Sequence, residues 1–156
     1  MKGFLFTLSL VMLLLGCSND EKDCCTFIDT AITIKYLNAE GENLFEVANG
    51  YKLSELTVYH NINGVWERYY EGNLDYPKGL NTVETDGGVE LIVFPSTNMV
   101  ENHISETKIQ FSESESDIIK SQIEKSGSTE IVTKVWYNNE LKWENNQAER
   151  AFQIIK

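Results

Sequence analysis

The residues with the most distinctive chemistry in this chain are its three cysteines, Cys17, Cys24 and Cys25. Cys24 and Cys25 are adjacent. Neighbouring Cα atoms sit about 3.8 Å apart across a trans peptide, whereas ordinary disulfides prefer about 4.4–6.8 Å. A vicinal bridge is therefore strained, and three states stay open: free thiols, that strained bridge, or a link to another chain. No cysteine framework exists to staple a small domain. Two adjacent thiolates are too few for a zinc centre, and His60 and His103 stand isolated, with no ligand spacing. No metal and no cofactor is expected. The chain has no Gly-rich phosphate loop, no His-Glu-x-x-His and no Gly-x-Ser-x-Gly elbow. With 24 acidic residues, a carboxylate pair at glycosidase spacing arises by chance. The acid clusters Asp20-Glu21 and Glu113-Ser114-Glu115 lack a calcium-loop pattern. No catalytic residue is assigned.

Aromatic side chains offer a second kind of chemistry. Tyr59, Trp66, Tyr69 and Tyr70 fall on one expected hairpin, and Tyr76 follows in its loop. Adjacent residues of a strand point to opposite faces, so Tyr69 and Tyr70 cannot both enter a core. An exposed remainder with a polar rim could stack on sugar or peptide, because such rings combine an apolar face with a polar handle. These five residues form the expected aromatic binding surface.

The N-terminal segment is read by its layout. Met1-Lys2-Gly3 carries one positive charge, an apolar run extends from Phe4 to Leu15, and Leu14-Leu15-Gly16-Cys17 gives way at once to Ser18-Asn19-Asp20-Glu21. That is a secretory signal, too short for a spanning helix, which needs about 20 apolar residues. Leu14-Leu15-Gly16-Cys17 resembles the lipobox of bacterial lipoproteins. The resemblance implies cleavage after Gly16, a thioether between diacylglycerol and the Cys17 sulfur, and membrane partnership through that lipid. One acyl chain binds marginally, while two or more hold stably. The acidic run 18–23 resembles the export tags of surface lipoproteins in Bacteroidetes-type bacteria; it also suits a solvated tether. The expected location is the outer membrane, lipid-anchored, either surface-exposed or facing the periplasm.

Residues 1–16 contain Lys2 and no acid, so the remaining 140 residues carry 12 basic and 24 acidic side chains, a formal charge of −12. This acidity argues against nucleic acid and against an electrostatic grip on anionic lipid. The expected organisation is a signal peptide (1–16), a lipidated acidic tether (17–26) and one domain (27–156).

The elements that must position these residues read as β. Phe27–Leu37 alternates with Ile32, Ile34 and Tyr36 on one face. Leu53–Asn61 and Val65–Tyr70 flank an Asn63-Gly64 turn. Thr82–Thr85 suits a short edge strand, Val89–Phe94 a core strand ended by Pro95, Ser96–Glu106 a polar loop, and Thr107–Phe111 another strand. Residues 113–125 fit a thinly striped helix or an edge strand, and the β neighbours favour the strand. Thr129–Tyr137 places Ile131, Thr133, Val135 and Tyr137 on one face. Asn138-Asn139 turns the chain, 140–143 returns, and Ala151–Ile155 closes it. About eight strands with regular turn signals predict an all-β antiparallel sandwich of immunoglobulin-like or transthyretin-like architecture. The acidic segment after Cys17, the Ile-Lys-Tyr-Leu-Asn-Ala-Glu-Gly stretch and the Lys-Val-Trp-Tyr-Asn-Asn hairpin resemble small β-sandwich lipoproteins of Bacteroidetes-type bacteria, a group without a shared chemistry. A non-enzymatic binding or assembly module of the cell envelope, engaging a glycan or another envelope protein, is the expected function. A small glycan hydrolase is the alternative.

Overall fold

The computed structural model describes residues 26–145, 147 and 149–156. The expected signal segment 1–16, the expected lipidation site Cys17, the Cys24-Cys25 pair and all of the expected tether but Thr26 lie outside the described residues. The described chain is all-β, in the order β1 (Phe27–Asp29), β2 (Ile32–Leu37), β3 (Thr57–Ile62), β4 (Val65–Arg68), β5 (Leu80–Thr85), β6 (Gly88–Val93), β7 (Met99–Glu101), β8 (Ile104–Gln110), β9 (Ser116–Ser126), β10 (Thr129–Tyr137), β11 (Glu140–Glu144) and β12 (Ala151–Ile155). The larger sheet runs β1-β10-β9-β8-β3-β4, with β11 also on β10 and β7 on β8; the smaller runs β12-β2-β6-β5. Their inner faces share one core, with Ile32, Ile34, Leu91, Val93 and Ile154 from the smaller sheet and Val58, Ile109, Ile119, Ile123, Val132 and Val135 from the larger. Burying such a side chain stabilises the fold by about 1.5–3 kcal/mol, so the sandwich rests on these two apolar stripes.

The expected sandwich is present, with more strands than the expected eight or so. Two differences add strands. Phe27–Leu37 is two strands, because the chain leaves one sheet at Thr30-Ala31 and enters the other. Ser96–Glu106 is not a loop: it holds β7, a turn at Asn102 (φ 50°) and His103 (φ 62°), and the start of β8. Histidine is an uncommon turn residue, so that hairpin carried no composition signal. Residues 113–125 hold the favoured strand, β9 from Ser116 onward, but it lies inside the larger sheet between β10 and β8 and not at an edge, with its inward residues Asp117, Ile119, Ser121 and Ile123 all buried.

The strands are also not all antiparallel. β1 runs parallel to β10, and β12 parallel to β2. Short turns announce antiparallel neighbours in sequence; a strand that joins a sheet from far along the chain leaves no such mark. In β10 the register shifts between Val132 and Lys134. That bulge breaks the expected alternation, burying both Val132 and Thr133 and leaving Ile131 half-exposed. At the two hairpins flagged by sequence, Asn63 and Gly64 (φ 52° and 87°) and Asn138 and Asn139 (φ 48° and 71°) adopt the left-handed backbone such turns demand.

One side chain ties the chain ends to this frame. Arg150, just before β12, donates to both carboxylate oxygens of Asp29 at 3.0 and 3.2 Å, to the Ala31 carbonyl at 2.8 Å and to the Val132 carbonyl at 3.2 Å. Its guanidinium lies 4.8 Å from the Trp143 ring centre. It thus grips the sheet switch and the bulge together. A planar fork can do this where an ammonium cannot. Arg150→Ala is expected to lower unfolding free energy by about 3 kcal/mol in denaturant melts, and Arg150→Lys to recover less than half of that. A loss within about 0.5 kcal/mol, the usual size of a surface effect, would show that the clamp is dispensable.

Candidate functional site

The expected aromatic surface separates into three places. Tyr59 and Trp66 lie on the outer face of the larger sheet, where the Lys108 ammonium stands 4.4 Å from one ring centre and 5.0 Å from the other. Tyr59 is paired directly with Lys108 across β3 and β8, so the cation caps both rings. Tyr69 does not extend β4. Its amide donates to the Val58 carbonyl at 2.8 Å, and its ring stacks on His60 at 4.2 Å, packed against the core. Burial, with the nearby Glu71 charge, pushes its hydroxyl above the ordinary range. Tyr70 and Tyr76 are exposed and line one groove.

That groove is built by the crossover from β4 to β5, which carries the chain from the edge of the larger sheet to the edge of the smaller. The crossover is closed on itself: the Glu71 amide donates to the Pro77 carbonyl at 2.8 Å, and the Gly79 amide to the Tyr76 carbonyl at 2.8 Å. Gly79 has φ 66°, and a Cβ there would sit 3.1 Å from the Tyr69 ring and 3.2 Å from the Phe94 carbonyl oxygen. Only glycine combines that backbone with that approach. Lys78 fastens the crossover to the chain entering β3, donating to the Ser54 and Leu56 carbonyls at 2.6 and 3.0 Å. The resulting open groove encloses about 500 Å³, and a separate groove on the β1/β12 side about 550 Å³, both within the roughly 300–1,000 Å³ of small-molecule sites.

The two grooves differ in character. The crossover groove has Leu53, Pro77 and the two tyrosines as its apolar surface, with Ser54, Asp75 and Asn81 at its rim. Tyr76 stacks against Phe94 at 5.4 Å and an interplanar angle of 9°, which fixes its ring in place. The groove on the β1/β12 side is polar, lined by Asp29, Thr33, Glu90, Asn145, Glu149 and Arg150 among others. The Arg150 hydrogen bond, against the opposing pull of burial, holds the Asp29 carboxyl below its ordinary range. A general acid needs the opposite shift.

A third cluster lies between the sheets. Asp117 accepts from Tyr137, from Lys156 and, at 2.7 Å, from Asn138. The Tyr36 and Tyr137 hydroxyls are 3.2 Å apart. Lys156 also reaches Glu115 at 2.7 Å, and Tyr51 donates to that carboxylate at 2.6 Å. Burial drives the Tyr36, Tyr51 and Tyr137 hydroxyls well above their ordinary range, so all three act as neutral donors. Burial raises the Glu115 carboxyl, but the Lys156 and Tyr51 hydrogen bonds outweigh it and hold the group low. Sequence offered no sign of this cluster or of the Arg150 clamp, since their members lie far apart in the chain. For the crossover groove the tyrosines were visible beforehand; Leu53, Asp75 and Asn81 were not. Among the described residues, no group of three or more His, Cys, Asp or Glu could hold a metal ion. Comparison with protein families, characterised proteins and solved structures returned no match.

His60 has no partner for Nε2 among the described residues, and burial lowers its pKa from 6.5 to about 4. Between those values the unfolded chain takes up a proton that the folded chain refuses. Stability therefore falls as pH drops from the unfolded value toward the folded one. Asp29 and Glu115 act at lower pH: their stabilisation is present above the ordinary carboxylate range and is lost as pH falls through their lowered values. The wild-type Tm is expected to drop between about pH 7 and about pH 5, and that of His60→Phe to stay level across the same interval. Parallel slopes for the two proteins would remove His60 from the account.

Proposed function

We propose that this protein is a lipid-anchored module of the outer membrane that works by binding, with the crossover groove as its docking surface. The observation that carries this reading is that Tyr70 and Tyr76, both exposed, line one groove with Leu53 and Pro77 in a crossover closed by backbone hydrogen bonds. Exposed aromatic rings in a preformed concave surface lose little entropy on binding, because their backbone is already fixed. The lipobox at Leu14–Cys17 supports the anchor, and the acidic run 18–23 supports a solvated spacer between lipid and sandwich. The Tyr59-Trp66 pair contributes less, since Lys108 already covers it.

Two arms test the proposal. Labelled fatty acid should enter the wild-type chain and be absent from Cys17→Ser, which should remain unprocessed or leave the membrane fraction. A photocrosslinking amino acid at position 70 should give discrete adducts in intact envelopes, while the same group at position 124, an exposed site on β9, should give none. Label retained by Cys17→Ser would overturn the anchor, and identical adduct patterns from both positions would overturn the docking surface.

A further inference from the structure

Taking the crossover groove as the docking surface, we infer that its ligand is a neutral, pyranose-based glycan. The inference rests on the chemistry of the floor and rim. Tyr76 is backed by Phe94 in near-parallel stacking, which covers part of one ring face and favours that orientation. Tyr70 stands beside it, 62% exposed. These two rings share the groove lining with Leu53 and Pro77 and give it an apolar surface. A pyranose presents a matching C–H face, with hydroxyls projecting around its edge. Aromatic rings are suited to such ligands because the ring packs while the hydroxyl bonds.

The rim selects further. A carboxylate is an acceptor only, so Asp75 requires a ligand that donates; the Asn81 amide both donates and accepts. Sugar hydroxyls do both, and satisfy the two groups together. A proline-rich segment, which also favours tyrosine platforms, offers mainly carbonyl acceptors and leaves Asp75 without a donor. Charge excludes the anionic sugars. Lys78, the one basic residue of the groove lining, already directs its ammonium at the Ser54 and Leu56 carbonyls. Glu71 and Asp75 lie in the same crossover, and the chain as a whole carries −11. A uronate or sulfated polymer would meet repulsion with no unengaged cation in the groove lining to offset it.

The test uses the full-length protein, purified in detergent and run on native affinity gels. Separate gels contain soluble glucan, mannan, xylan or, as the anionic counterpart, polygalacturonate; an immobilised proline-rich peptide is the protein-like comparison. Retardation is expected in at least one neutral gel and in none with polygalacturonate. Tyr70→Ala and Tyr76→Ala should each weaken it by about tenfold, the scale of one lost aromatic contact, with Tyr70→Trp restoring it. Tyr59→Ala should bind as the wild type does. Because Tyr76 packs on Phe94, its variant is accompanied by a thermal melt, and Tyr70→Ala, at an exposed position, carries the test if that melt is lowered. Mobility unchanged in every neutral gel would overturn the glycan, as would retardation that survives loss of both tyrosines. Peptide binding that depends on Tyr70 would overturn the glycan while sparing the docking surface; if no probe depends on Tyr70, both fall.

Discussion

A carboxylate buried between two sheets must find donors, and that requirement organises one end of this sandwich. Asp117 sits on β9 of the larger sheet, facing inward with only 5% of its surface exposed. Left alone there, an ionised group would cost several kcal/mol. Its donors come from both layers: Tyr137 and Asn138 from the larger sheet, Lys156 from beyond the last strand of the smaller. Tyr137 has one proton, which goes to the carboxylate, so the neighbouring Tyr36 hydroxyl on β2 must donate to Tyr137. The chain of hydrogen bonds thus crosses the core. It fixes the end of the final strand to the opposite layer and the two sheets to each other, because sliding either layer by one residue would break the Tyr36–Tyr137 and Lys156–Asp117 links that cross between them.

Hydrophobic burial alone would not impose that alignment. Ile32, Ile34, Leu91, Ile119 and Val135 would pack almost as well after a small shift, whereas a polar network tolerates none. The Arg150 clamp acts by the same logic on the β1/β12 side, where parallel strands lack the tight turns that set register elsewhere. On the β4/β5 side the crossover performs this role through backbone hydrogen bonds and Lys78. It leaves Tyr70 and Tyr76 exposed along one groove, which is why we propose it as the docking surface.

How much of this could be read from sequence follows from the range of the interactions. Local ones were legible. Ile32, Ile34 and Tyr36 alternate as a half-buried strand must, and Asn63-Gly64 and Asn138-Asn139 turn because their backbones tolerate positive φ. Tyr70 and Tyr76 stood out as aromatic residues in a polar setting. The distant ones were not legible. Nothing near Asp117 in sequence marks it as the acceptor for Lys156, and nothing near Arg150 names Asp29. The bulge at Val132 likewise has no local signature, so strict alternation misassigned Ile131. Sequence in turn carries patterns the fold does not: the stretch that resembles a lipobox and the acidic run after it lie outside the described residues.

The central claim is that a single hydrogen-bonded chain through Asp117, Tyr137 and Tyr36 locks the two sheets together. A double-mutant cycle with Tyr36→Phe and Tyr137→Phe, measured by denaturant unfolding, tests it most directly. Each substitution removes a hydroxyl while keeping its ring, so the cycle isolates the polar link. The account predicts a coupling free energy of about 1–2 kcal/mol between the two positions. Effects that add within about 0.3–0.5 kcal/mol, as they do for independent sites, would contradict it.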